Sequence, residues 1–443
     1  MTSQWILPVA VLTGVMFAAG AHGAEPADTN YDESKVPAYD LPELLVTKSG
    51  QVVRTASDWR ENRRPEILRL FEDTVYGRTP VRQVDVQYEV VERDDQAFDG
   101  LATRKQIRAT FAGQLIADML VYVPHHKVPH GKVPHGKAGR DDPAPAFLGL
   151  NFYGNQTIAD DPAILINPRW MRGNAAIGIR ANRATEETRG AYRSRWQVET
   201  VLKRGYALAT VYCGDFDPDN YRHDFTDGVH PLFYEGAQTK PASNEWGAIG
   251  AWAWGLSRTL DYLETDSDID ATRVAVLGHS RLGKTALWAG AQDERFSLVI
   301  SNNSGCGGAA LYRRCFGERI HHMIKPVGYW FCDEHRQYQH REHELPVDQH
   351  MLLALVAPRP LYVASATKDQ WADPRGEFLA AKHASKVYAL LGQSALEGAD
   401  FPPSDQPLTT TVGYHLRSGE HDVTAFDWAQ YLDFADRHWK TRD

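Results

Sequence analysis

A chain of 443 residues with 48 Lys and Arg against 57 Asp and Glu has a net charge of −9, which argues against a nucleic-acid partner, because such a partner needs a basic face. Hydrophobic residues at 43% and charged residues at 24% are ordinary globular usage and exclude disorder as the main state. The 12 Trp and 19 Tyr exceed what a core alone requires, and in an exported protein such a surplus often marks sugar-facing or interface surface.

The apolar run from Ile6 to Gly20 is shorter than the ~20 residues a membrane-spanning helix needs. Ala21-His22-Gly23 then puts small residues at the −3 and −1 positions before Ala24. Residues 1–23 therefore read as a cleaved secretory signal, although Met1 to Trp5 lacks Lys and Arg, and the mature protein is expected to be secreted or periplasmic. No later segment is apolar and long enough to span a bilayer.

Ser57 to Tyr76 reads as helical, with Ser57 as cap and Ile67, Leu68, Leu70, Phe71 and Val75 at helical spacing; Pro65 is expected to split it. Val84 to Val91 and Lys105 to Phe111 alternate like strands, and Met119 to Val123 is dense enough for a strand buried on both faces. Lys127 to Lys137 is a tandem duplication, expected to be an exposed loop. From Ala146 onward, short apolar runs alternate with helix-length segments: Phe147 to Asn151, Ala207 to Tyr212, Val274 to Leu277, Leu298 to Ile300 and Leu361 to Ala364. That pattern signals a parallel sheet covered by helices on both faces. We expect one α/β domain over residues 24–443, with residues 24–110 as an N-terminal decoration packed on it. Cys213, Cys306, Cys315 and Cys332 are too few for a disulfide framework; a bridge among the last three is permitted but not specified, and no CxxC pair suggests a thiolate zinc site.

The sharpest feature is Val274 to Trp288, with Gly278-His279-Ser280-Arg281-Leu282-Gly283-Lys284 at its centre. A buried strand ends at Gly278 and a helix-compatible stretch follows Ser280, the context of a nucleophile elbow. The tight turn needs small neighbours, and the serine lies where helix N–H groups favour a developing oxyanion. The match to GxSxG is imperfect, because position 282 is Leu and the second glycine comes one place late. Ser280 is the candidate nucleophile. His421 is the candidate base: it lies in a polar loop before the amphipathic stretch Thr424 to Trp439, with His415 as nearest competitor. The third member must be a carboxylate that fixes the histidine tautomer. Asp369 lies just beyond the Leu361 to Ala366 run and is preferred, whereas Asp373, before Pro374, reads as a helix cap.

Those residues, with Asn302 to Ala309, Trp371-Ala372-Asp373-Pro374 and Gly419-Glu420-His421, resemble the bacterial branch of the glucuronoyl esterases, carbohydrate esterase family fifteen. The resemblance runs from about Pro145 to the C-terminus. It implies an α/β-hydrolase three-layer sandwich with a mainly parallel central sheet, no cofactor and no metal. The implied reaction is hydrolysis of the ester between (4-O-methyl-)glucuronate on xylan and lignin alcohols; separately from the resemblance, the chain is expected to act as a monomer. By motif it implies Ser280 as nucleophile, His421 as base, Arg281 as an oxyanion contact, Lys284 and Glu318 as sugar contacts and Trp371 as the ring that closes on the uronate. Many members place the acid at the position of Asn303, which cannot carry the charge, so Asp369 is expected to supply it.

Two cations within four residues of Ser280 suit a reaction that develops negative charge. A rival metal hydrolase, drawing on His321, His322, His335, His340, His343, Glu342 and Glu344, lacks the HExxH spacing. Another serine carbohydrate esterase, acting on acetyl or cinnamoyl esters, shares the elbow. A non-catalytic carbohydrate-binding protein has no use for an elbow serine with a matching histidine and acid.

Overall fold

The computed structural model describes residues 26, 28–125, 143–220 and 225–439. The proposed signal sequence and the Lys127–Lys137 duplication lie outside the described residues. Helical backbone begins at Ala56, capped by Thr55 rather than Ser57, and continues with wide turns through Tyr76; Pro65 is accommodated in the first turn of the Arg64–Phe71 segment.

The strands are β1 (Val86–Gln96), β2 (Ala102–Phe111), β3 (Leu115–Pro124), β4 (Ala144–Asn151), β5 (Ala207–Tyr212), β6 (Ile269–His279), β7 (Leu298–Asn302), β8 (Leu361–Ala366), β9 (Leu408–Thr409) and β10 (Val412–Arg417). They form one sheet in the order β1-β2-β3-β5-β4-β6-β7-β8-β10-β9. β5, β4, β6, β7, β8 and β10 are parallel, while β1, β2, β3 and β9 join antiparallel at the edges. β1 and β2, inside the segment assigned to an N-terminal decoration, thus hydrogen-bond into the same sheet as the rest.

The α-helices of eight or more described residues are α1 (Arg64–Phe71), α2 (Ala248–Thr265), α3 (Arg281–Gln292), α4 (Ile320–Val327), α5 (Pro374–Leu390) and α6 (Ala425–Trp439). Alternation along each strand separates two cores. Val274 and Val276 of β6 pack with Leu260, Trp288 and Phe378 from α2, α3 and α5. Ala275 and Leu277 pack with Trp428, Tyr431 and Leu432 from α6. A sheet buried on both faces explains why its strands read as unbroken apolar runs. No helix among the described residues is long and apolar enough to cross a membrane. All four cysteines are unpaired.

The chain leaves β4 for β5 on one side and then returns to β6 on the other. In open α/β sheets such a reversal leaves a crevice at the strands' C-terminal ends, where ligands bind. β6 delivers Ser280 to that edge.

Candidate active site

Ser280 has φ 58° and ψ −131°, a strained conformation for a residue with a side chain. Its N–H is tied to the Asn302 carbonyl at 2.9 Å, and its own carbonyl accepts from Gly283 and Lys284 at 2.8 and 3.2 Å as α3 begins. A Cβ on Gly278 would lie 1.9 Å from the Leu282 oxygen, so this bend excludes every larger residue. The late second glycine has a reason as well. Leu282 is buried in the core, whereas a Cβ on Gly283 would meet Ser304 at 3.0 Å, where the turn after β7 packs on α3.

His421 lies in the loop between β10 and α6, and Asp369 follows β8. His421 Nδ1 donates to Asp369 Oδ2 at 2.6 Å. Asn303 Nδ2 donates to the same oxygen at 2.7 Å. Burial pushes the Asp369 carboxyl up, but the hydrogen bond and charge of His421, with the Asn303 bond, outweigh it and hold Asp369 below the ordinary carboxylate range. Asn303, at the position where the resemblance places an acid, thus hydrogen-bonds Asp369, the candidate acid. His421 is 30% exposed, and its Nε2 bonds no described residue.

The elbow and the histidine meet through a residue the sequence reasoning passed over. The His279 ring lies 4.4 Å from that of His421, centroid to centroid. Asn302 donates its amide protons to Tyr431 (2.8 Å) and Asp427 (3.3 Å), so its oxygen accepts from His279 Nδ1 at 2.7 Å. Burial, and then the neighbouring His421, hold His279 well below the usual imidazole range, so it stays neutral. Its place directly before the serine was the one available signal.

The cations are paired. Arg281 Nη2 lies 2.8 Å from Asp219 Oδ2, and its guanidinium lies over Phe152, 4.4 Å from the ring centre. Lys284 Nζ donates to the Ser304 carbonyl at 2.7 Å and to Glu318 Oε2 at 3.3 Å. The expected surplus of positive charge beside the serine is therefore largely compensated, as buried charges require. The Glu318 N–H donates to the Trp371 carbonyl at 2.8 Å, which brings Lys284, Glu318 and Trp371 together. The Trp371 ring stacks on His322 at 5.2 Å.

Asp373 caps α5, accepting from the Gly376 N–H at 2.9 Å and from Arg314 Nε at 2.8 Å; burial pushes it up to about 6. His415, the competing histidine, lies inside β10 with both ring nitrogens occupied, Nε2 on Asp427 at 2.9 Å and Nδ1 on the Tyr362 hydroxyl at 3.0 Å. A cavity of about 40 Å³ lies behind His279, lined by Phe152, Tyr192, Asn302 and Trp428. It has room for water.

Among the described residues, Asp28, His321 and His322 form one converging group of potential metal ligands. The Arg319 N–H donates to His322 Nδ1 at 3.1 Å, and the Nε2 atoms of His321 and His322 lie 2.7 and 3.3 Å from the Asp28 carboxylate oxygens, so the three side chains tie to one another. Of the other histidines of the run, His340 stacks on His321 with ring centres 4.0 Å apart and His335 faces the Tyr312 hydroxyl at 3.1 Å, while Glu342 pairs with Arg319 at 2.8 Å.

A family model described as glucuronyl esterase, fungi, matches residues 217–392. A carbohydrate esterase from an unknown prokaryotic organism is 46% identical over 443 residues, spanning 99% of each chain. The chain belongs to the glucuronoyl esterases of carbohydrate esterase family fifteen. The solved glucuronoyl esterase of Solibacter usitatus is 47% identical, with a TM-score of 0.84 over 92% of this chain and 100% of that one. A structure described as a promiscuous CE15 esterase from a marine bacterial metagenome is 46% identical, with a TM-score of 0.85 over 93% of this chain and 100% of that one. The α/β-hydrolase fold expected of a glucuronoyl esterase is the fold observed.

Proposed function

We propose that this glucuronoyl esterase hydrolyses esters of (4-O-methyl-)glucuronate, those joining xylan side chains to lignin alcohols among them, through an acyl-enzyme on Ser280. The observation that carries the reading is His421, tied through Nδ1 to Asp369 with Nε2 uncommitted, against the residue that precedes a strained elbow serine. Ser280 Oγ attacks the ester carbonyl while His421 Nε2 takes its proton, and Asp369 stabilises the resulting imidazolium. The Arg281 backbone N–H, which donates to no described residue, and the Arg281 guanidinium receive the developing oxyanion. Collapse breaks the ester bond, and His421 returns the proton to the departing alkoxide. A water, deprotonated by His421, then cleaves the acyl-enzyme to uronate and free serine. Lys284 and Glu318 bind the sugar hydroxyls, and Trp371 covers the ring. The protein acts as a monomer outside the cytoplasm after removal of residues 1–23.

The test compares benzyl glucuronate with acetylated and feruloylated xylan. A large preference for the glucuronate ester is expected. Faster turnover of either of the others would replace the substrate assignment with a broader carbohydrate esterase, a reading the relative described as promiscuous keeps in view.

A further inference from the structure

Arg281 occupies the first position of α3, directly after the nucleophile, and its side chain is long enough to adopt many rotamers. Its guanidinium is held by the carboxylate of Asp219 at 2.8 Å and by the rings of Phe152 and Trp330, whose centres lie 4.4 and 5.7 Å away. Asp219 lies beyond β5, in a buried stretch after Tyr212, and is itself fixed. Its Oδ1 accepts from the Tyr329 hydroxyl at 2.5 Å and from the Trp330 indole at 2.9 Å. Those bonds turn Oδ2 toward Arg281, with a second guanidinium, that of Arg172, 3.6 Å from the same oxygen.

From this arrangement we propose that Asp219 is a positioning residue for the esterase reaction, holding the Arg281 guanidinium beside Ser280 in the place where it meets the oxyanion. The inference rests on the assignment of Ser280 as nucleophile. Electrostatic stabilisation works when the charge is in place before the reaction, because then nothing has to reorganise as the oxyanion forms. Nη2 is ion-paired with Asp219 and Nε is buried without a hydrogen-bond partner, so the guanidinium is anchored by one end. Without the carboxylate, Arg281 and Arg172 would face each other as like charges, and Arg281 would be displaced. Burial raises the Asp219 carboxyl, but Arg281, Arg172, Tyr329 and Trp330 together hold it below its ordinary range, so it remains an anion through neutral pH.

The experiment measures kcat and KM on methyl glucuronate, with thermal midpoints, for Asp219→Asn, Arg281→Ala and the double variant. Asparagine keeps an acceptor for Tyr329 and Trp330 but removes the charge. Asp219→Asn is expected to lower kcat about 10- to 100-fold with KM within about threefold, and the double variant to match Arg281→Ala in kcat. Unchanged kcat, a loss confined to KM, or losses that multiply in the double variant would overturn the proposal. If the asparagine variant does not fold, Asp219→Glu, which keeps the charge but moves it by one methylene, is read by the same criteria. Ser280→Ala is measured alongside. Turnover by that variant sinks the nucleophile assignment itself, whereas an inactive Ser280→Ala with a normal Asp219→Asn sinks only the role of Asp219.

Discussion

Two His–Asp pairs draw their histidines from positions six residues apart, His415 and His421, and their surroundings differ. In His415–Asp427 both side chains are fully buried, and both ring nitrogens are used, one by the carboxylate and one by Tyr362. Arg417 and Thr424 also bond Asp427, so the pair fastens β10 to the start of α6. In His421–Asp369 the histidine is 30% exposed and spends only Nδ1 on its acid. The same pairing is a structural tie where both ring nitrogens are taken, and it suits the proton-accepting role proposed for His421 where one nitrogen is left open.

The largest break of this contrast is Ser280→Ala. It should lower kcat by about 10⁴-fold or more on methyl glucuronate while sugar affinity stays within a few fold; isothermal titration with a non-hydrolysed uronate checks the second part. Asp369→Asn should cost about 10³- to 10⁴-fold in kcat, as expected when the base is held in the wrong tautomer. A comparable loss from Asp373→Asn instead would mean that the acid is misassigned. Asp427→Asn should do the reverse, destabilising by about 3 kcal/mol in urea unfolding, because a cation and a histidine lose their buried partner, while kcat of the folded enzyme stays within a few fold. A stable but inactive Asp427→Asn would erase the distinction between the pairs.

Smaller effects sharpen it. Lys284→Ala should raise KM about tenfold for glucuronate esters and much less for aryl acetates, since one charged hydrogen bond to sugar is at stake; equal losses on both would count against uronate recognition. Glu377 supplies the smallest. Its carboxylate accepts from the Ser304 and Gly305 N–H groups at 2.8 and 2.9 Å and from Ser365 at 2.6 Å, with burial pushing it up to about 8. The folded protein therefore keeps a proton there that the unfolded chain releases near pH 4.3, so this group's stability contribution falls as pH rises from about 4 to about 8. Glu377→Gln removes the slope, and its thermal midpoint should gain on the wild type between pH 5 and 8. Parallel curves would show that the carboxyl is already ionised.

Much of this was legible in the sequence, for physical reasons. The central strands bury both faces and so appear as apolar runs, and the elbow advertises itself because the bend forbids a Cβ at Gly278. β10 went unassigned, since Gly413, His415 and Arg417 interrupt its apolar run and its buried histidine is satisfied only by partners on β8 and α6. Asp219 and His279 left no trace beyond their letters. Their importance lies in contacts with Arg281 and His421, at sequence separations that local pattern does not register. Paired cations likewise look like free ones until the fold brings Asp219 and Glu318 to them.

Turnover of methyl or benzyl glucuronate by the wild-type protein and by Ser280→Ala, measured side by side, decides whether this serine is the nucleophile. Saturable hydrolysis is expected of the first and none above background of a folded second. Hydrolysis by Ser280→Ala at a rate near the wild type's would contradict that role.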